Sequence, residues 1–189
     1  MRLLGLFVVT GVLCSATDVA LTIGVYNNGT TKAQSGGQTV EASSSTGALL
    51  TPGGNIANFG IAAIGWEVPV AFGGPARALI SNGRIATEKL DFMLVPGARV
   101  KILPTGRVSP WASVGIGAGR FSRATVSSAS SLLKAATETA FTVAVGVGVD
   151  VKVAGPLFLR AEGRNFNYKS VDSLRRNSFQ FFVGAGLRF

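Results

Sequence analysis

The chain contains no histidine, and its single cysteine is Cys14. Without histidine it lacks the usual general base, the usual activator of a serine or cysteine nucleophile and the commonest metal ligand, so histidine-dependent chemistry is excluded. One cysteine supports neither an internal disulfide nor a Cys-based metal site. Beyond residue 16 there is no apolar run of about 18 residues, and no transmembrane helix can be drawn. Also missing are a GxSxG elbow, a Walker A loop, metal-ligand spacing, a solenoid repeat and a linker dividing the chain. Gly115–Arg120 (GIGAGR) and Gly146–Asp150 (GVGVD) carry glycine spacings found in nucleotide loops. Both sit inside alternating stretches and open no helix, so no cofactor is expected. A catalytic carboxylate pair lacks any cleft signature, and a non-enzymatic protein is expected.

What remains is a hydrophobic chain that is never continuously so. Hydrophobic residues are 47% of the 189, and the mean hydropathy is +0.40. The net charge is +9. The cations are scattered, with no basic helix and no aromatic RNA-binding run, so nucleic acid is not an expected partner. An anionic membrane surface suits a basic exported protein better. Export is expected from the N-terminus, MRLLGLFVVTGVLCSA. Arg2 supplies a positive start, Leu3 to Leu13 an apolar stretch, and Cys14-Ser15-Ala16 a small-residue cleavage site. The expectation is a signal peptide over 1–16 and one mature domain over 17–189. A buried first strand through VVTGVL is the alternative. A lipid-modified Cys14 is a weaker one, because no small residue directly precedes it.

Alternation with a period of two runs through most of the remainder, the mark of strands with two unlike faces. In Thr139–Val153 (TAFTVAVGVGVDVKV) one face carries Phe141 and six valines, the other Gly146, Gly148, Asp150 and Lys152. That length exceeds the ~9–11 residues a tilted strand needs to cross a bilayer. Val19–Val25, Phe59–Val70, Leu90–Ile102, Val108–Ala118, Leu157–Arg164 and Phe179–Phe189 alternate likewise. Those are seven strands, and Ala76–Ile80 is the candidate for an eighth. Compact turns are expected at Phe72–Pro75, Pro104–Arg107 and Ala154–Pro156. Longer polar loops are expected over Asn27–Ile56, Ser81–Thr87, Phe121–Glu138 and Asn167–Ser178. Short turns alternating with long loops are the asymmetry of transmembrane barrels.

A secreted lipocalin-like barrel or a β-sandwich would turn the apolar faces inward, and a membrane barrel turns them outward. The polar faces interleave glycine, alanine and serine with a few long charged chains, which suits the crowded interior of a narrow barrel. The apolar faces hold Ala and Pro at strand centres, acceptable against lipid and poor filling for a core. The expected fold is therefore all-β, an antiparallel up-and-down transmembrane barrel of eight strands.

On these residues the chain resembles the small eight-stranded outer-membrane β-barrels, OmpA-like and OmpX-like. VGAGLRF at the end, MLVPGARVKIL followed by PTGRVSPWASVGIGAG, and LFLRAEGRNFNY carry the likeness. The resemblance implies the bacterial outer membrane as location and outer-membrane lipid and lipopolysaccharide as surroundings. It also implies that the strand ending in Phe189 is the signal read by the outer-membrane insertion machinery.

Strand parity places Glu67, Asp91, Arg99, Lys101, Asp150, Lys152, Arg160, Glu162, Arg164 and Arg188 on inward faces. An unpaired buried charge costs several kcal/mol, so these must pair or stay hydrated. Two roles follow: a plug of salt bridges locking the lumen, or a narrow gated pathway for ions or small solutes. An eight-stranded barrel is just wide enough for side chains to fill it, which favours the plug. Arg120, Arg123, Lys134, Lys169, Arg175 and Arg176 gather near the expected outer ends of strands. They are candidates for contact with lipopolysaccharide phosphates, or an ordinary solvated surface.

Overall fold

The computed structural model describes residues 17–27, 32–35, 38–41, 46–73, 77–81, 84–127, 130–169 and 175–189. The expected leader over 1–16, with Cys14, lies outside the described residues. Every regular element described is a strand: β1 Asp18–Asn27, β2 Lys32–Ser35, β3 Gln38–Glu41, β4 Thr46–Asn58, β5 Ala62–Glu67, β6 Val70–Phe72, β7 Arg77–Ser81, β8 Arg84–Leu94, β9 Gly97–Ile102, β10 Val108–Ser127, β11 Ser130–Ala154, β12 Leu157–Lys169 and β13 Arg175–Arg188. β2 and β3 pair with each other. The other eleven form one antiparallel sheet, and β1 closes it by pairing with β13 on one side and β4 on the other. Going round the wall there are eight staves: β1, β4, the β5–β6–β7 series, the β8–β9 series, β10, β11, β12 and β13. The fold is an all-β antiparallel up-and-down barrel.

The staves are not all where the alternation put them. The second stave is β4, Thr46–Asn58, all but its last two residues within the segment expected to be the loop Asn27–Ile56. Its Pro52-Gly53-Gly54 reads as a turn, yet glycine is there for space. A Cβ at Gly53 would lie 2.9 Å from the Trp66 carbonyl oxygen, 3.0 Å from Arg99 Nη2 and 3.1 Å from Asp18 Oδ1. The third stave gathers β5, β6 and β7 into one line along β9 and β8, so the chain does not reverse between β6 and β7 as the expected turn at Phe72–Pro75 required; residues 74–76 lie outside the described residues. The turn lies instead at 59–61, where the Phe59 amide donates to the Ala62 carbonyl (2.7 Å). Pro69 breaks the stave because it has no N–H for the ladder; its carbonyl still accepts from Val95, and that of Pro52 from Val68. Strand pairing also runs deep into the expected loops: Ser81 opposes Arg84, Ser127 opposes Ser130 and Lys169 opposes Arg175.

Turns 59–61, 103–107 and 155–156 all lie at one end, called the lower end here, together with Asp18 and Arg188. The outer wall is apolar. Leu21, Ile23, Val100, Val114, Ile116, Val145, Val147, Leu159 and Val183 are exposed there, an arrangement that water would not stabilise and lipid does. Towards the upper end exposed phenylalanines follow the wall. Phe72 and Phe92 are register partners, Phe141 lies opposite Ala118, and Phe179 lies opposite Asn165 and packs edge-on against Phe181 at 4.7 Å. From Phe141 down to Val153 the outward face spans about 30 Å, at ~3.4 Å per residue and a ~40° tilt. That matches a hydrocarbon band edged by an aromatic girdle.

Candidate functional site

The interior is filled, in two layers. Inward residues from the lower half of five staves supply charge. Asp18, Glu67, Asp150 and Glu162 meet Arg99, Lys101, Arg160 and Arg164, and all eight are buried to within 4% of full exclusion from solvent. Four acids face four fully buried bases, so the layer is neutral before Arg188, which is half-buried at its lower edge.

The charges alternate in sign along one unbroken path. Arg164 joins Glu162 (Nε–Oε2 2.8 Å) to Glu67 (Nη1–Oε1 2.7 Å). Arg99 joins Glu67 (3.9 Å) to Asp18 (2.6 Å), and Lys101 joins Asp18 (3.5 Å) to Asp150 (2.8 Å). Asp150 is the hub. It accepts from Arg160 Nε and Nη2 (2.8 and 3.0 Å), from Lys101, and from the Trp111 indole N–H (3.1 Å), and it lies 3.6 Å from Arg188 Nη2. Bidentate pairing with a carboxylate is what the planar guanidinium does best. Thr22 donates its hydroxyl to Glu162 at 2.9 Å.

Aromatic rings lock the cations from the side. The Arg160 guanidinium lies 5.0 Å from the Trp111 ring centroid and 5.3 Å from that of Phe158; Arg164 lies 5.2 Å from Trp111, and Arg188 5.5 Å from Phe158. Away from water such contacts contribute about 2 kcal/mol each. Room for Trp111 comes from Gly148 on the neighbouring stave, where any Cβ would collide with the indole.

Eight of the ten charges that parity turned inward thus share one network with Asp18, a residue the alternation did not single out: Glu67, Arg99, Lys101, Asp150, Arg160, Glu162, Arg164 and, at the edge, Arg188. Two stand apart. Asp91 is half-exposed and pairs with Arg120 (3.9 Å) and Ser122 (2.7 Å) instead. The cause is a β-bulge: Arg120 pairs with Phe92 and the next residue, Phe121, with Leu90, which skips Asp91 and turns Leu90 inward. Lys152 has inward parity but lies beyond the last buried layer, exposed at the lower rim. Asp18, Trp111 and Thr22 had a signal in the sequence, because each shares parity with inward neighbours.

Above the charges the filling changes to Leu49, Ala71, Leu90, Met93, Val95, Phe121, Ala140, Ala144, Phe166, Tyr168 and Phe182, one buried apolar cluster. Phe121 and Tyr168 stack at 4.8 Å. Of the cations expected at the outer strand ends, Arg120 is exposed on the outer wall. Arg123, Lys134, Lys169, Arg175 and Arg176 are placed by backbone register in the upper parts of β10 to β13. Among the described residues no group of three or more His, Cys, Asp or Glu is arranged to hold a metal.

No protein-family model matches the chain, and no curated protein resembles it in sequence. Its fold does have counterparts. The outer membrane protein OprG of Pseudomonas aeruginosa superposes with a TM-score of 0.59 at 12% identity, over 92% of this chain and 96% of that one. Neisserial surface protein A gives 0.54 at 12%, over 92% and 98%. The N-terminal β-barrel domain of P. aeruginosa OprF gives 0.53 at 12%, over 92% and 98%. Identities this low speak of fold alone, and the fold is that of the small outer-membrane β-barrels.

Proposed function

We propose that the protein is an integral barrel of the bacterial outer membrane with a structural or surface-presenting, non-enzymatic role, its lumen sealed by the inward charges. The observation that carries this reading is the neutral, sign-alternating network in which four acids and four bases are all buried. A conducting pore keeps its charges hydrated. Here each carboxylate is instead held by at least one buried cation, with a second, apolar layer stacked above. The apolar outer wall and the phenylalanine girdle support residence in a bilayer.

The same proposal extends to export, insertion and surface contact. Residues 1–16 are the export signal, and β13 with Phe189 is the segment the insertion machinery reads. The strand-end cations Arg120, Arg123, Lys134, Lys169, Arg175 and Arg176 meet lipopolysaccharide phosphates.

The test is single-channel recording in a planar bilayer, after a cold-versus-boiled gel shift has verified the folded barrel. Silence is the expected result. Glu67→Ala strips Arg164 and Arg99 of a shared partner and should lower stability by about 3 kcal/mol, with no current before or after. Steady discrete openings from the verified wild-type barrel would make it a narrow channel instead, with the inward charges as selectivity groups.

A further inference from the structure

The lower rim carries a recess of about 250 Å³ where β11 turns into β12 and β13 ends. Its polar side is Lys152 and Arg188; its floor is the Phe158 ring; its outer side is Leu157 and Phe189. No acidic side chain lines it. Parity explains the mixture. Lys152, Phe158 and Arg188 have inward register, and Leu157 and Phe189 outward register, so the recess straddles the rim between lumen and lipid. Leu157, Leu187 and Phe189 are exposed and continue the apolar wall to this edge.

The cations are available. Lys152 is exposed and takes no part in the buried network. Arg188 is held in place without being used up: Nη1 donates to the Pro104 carbonyl at 3.0 Å, Nη2 lies 3.6 Å from Asp150, and Phe158 supports the guanidinium plane. An arginine has five N–H donors, which leaves several for another anion. The Arg188 amide donates to the Pro156 carbonyl at 2.9 Å, and Gly155, at φ +50°, has nothing within 4 Å of where a Cβ would stand. The turn is therefore fixed, and the space beside it is open.

We propose that this recess binds the phosphate headgroup of an anionic phospholipid of the lower leaflet, phosphatidylglycerol by class. Lys152 and Arg188 take the phosphate while the acyl chains run up along Leu157 and Phe189. Two cations beside an apolar wall at the membrane edge match a molecule that is anionic at one end and hydrocarbon at the other. A soluble anion would have no use for the apolar side. The proposal rests on the reading of the chain as a membrane barrel.

The experiment is native mass spectrometry of the folded protein, purified from membranes and released from micelles holding equal phosphatidylglycerol and phosphatidylcholine. Gel mobility before and after boiling is checked on every sample. Wild type should retain one phosphatidylglycerol in preference to phosphatidylcholine. Lys152→Ala should cut that preference about fivefold, Lys152→Glu should abolish it, and Lys152→Arg should restore it. Because Lys152 lies outside the buried network, these variants keep the heat-sensitive mobility of the barrel. Equal retention of the two lipids, or a preference indifferent to Lys152, overturns the site while leaving the barrel reading intact. Displacement of the adduct by millimolar inorganic phosphate would show a free-anion site and overturn the lipid assignment. A wild-type chain without heat-dependent mobility would remove the barrel reading itself.

Discussion

The lower and upper halves of the lumen share one wall, one register and the same exclusion from water, yet they are filled by opposite means. Below, Asp150, Glu67 and Asp18 are stitched to Arg160, Arg164, Arg99 and Lys101. Above, Phe166, Phe182, Met93 and Leu49 pack with no charge among them. A buried charge costs several kcal/mol to desolvate and is tolerated only with its partners in place, so the lower half is specific and brittle. Apolar filling contributes roughly 25 cal/mol per Å² wherever volume is matched, so the upper half is generic and forgiving. A closed barrel allows both, because the backbone is already satisfied within the wall and the interior has only its own groups to satisfy.

Asp150 is where this contrast breaks first. Asp150→Ala leaves Lys101 and Arg160 buried without their shared carboxylate and should cost about 4–5 kcal/mol, read as the urea midpoint of the folded band on gels. Asp150→Asn keeps the shape and should cost nearly as much, because the missing quantity is charge. The upper half should behave differently. Phe166→Ala, at a fully buried site, should lose about 3 kcal/mol to the cavity it opens. Phe166→Leu should lose only ~1 kcal/mol. If Asp150→Asn proved as mild as Phe166→Leu, the two halves would not differ in kind.

A smaller effect sharpens the role of small residues in the lower half. Gly148→Ala drives a methyl group into the Trp111 ring and the Ala161 carbonyl, at a cost of about 1–3 kcal/mol. Its signature is a shift in tryptophan emission, since the displaced indole would lose its hydrogen bond to Asp150.

Those glycines also show what the sequence can and cannot tell. Alternation in Thr139–Val153 reveals the wall directly, because valine faces lipid and glycine yields room to side chains of the neighbouring staves. The same economy of space hides β4: Pro52-Gly53-Gly54 looks like a turn, and only the presence of Trp66, Arg99 and Asp18 beside it explains two glycines in a strand. Phe72–Pro75 has the composition of a turn, so one stave looks like two in the sequence. Parity turned most of the network inward but carries no information on partners, since pairs such as Lys101 with Asp150 or Arg164 with Glu67 cross between staves distant in sequence. Nor does parity survive a bulge, an extra residue with no mark in composition.

Asp91 tests that last point with the smallest expected effect. Read by parity it belongs to the brittle interior; in the structure it lies on the outer wall beside Arg120, whose side chain is 53% exposed against 33% for Asp91. Its partners are a guanidinium at 3.9 Å and the Ser122 hydroxyl at 2.7 Å. A partly solvated pair of this kind contributes at most about 1 kcal/mol. Asp91→Ala should therefore move the urea midpoint by an amount several times smaller than Asp150→Ala, although both remove one carboxylate from a strand paired with β10. It should also free Arg120 for an anionic surface, so that binding to lipopolysaccharide-coated beads rises or holds rather than falls. A loss as large as that of Asp150→Ala would return Asp91 to the interior network and remove the bulge as the reason for its absence from it.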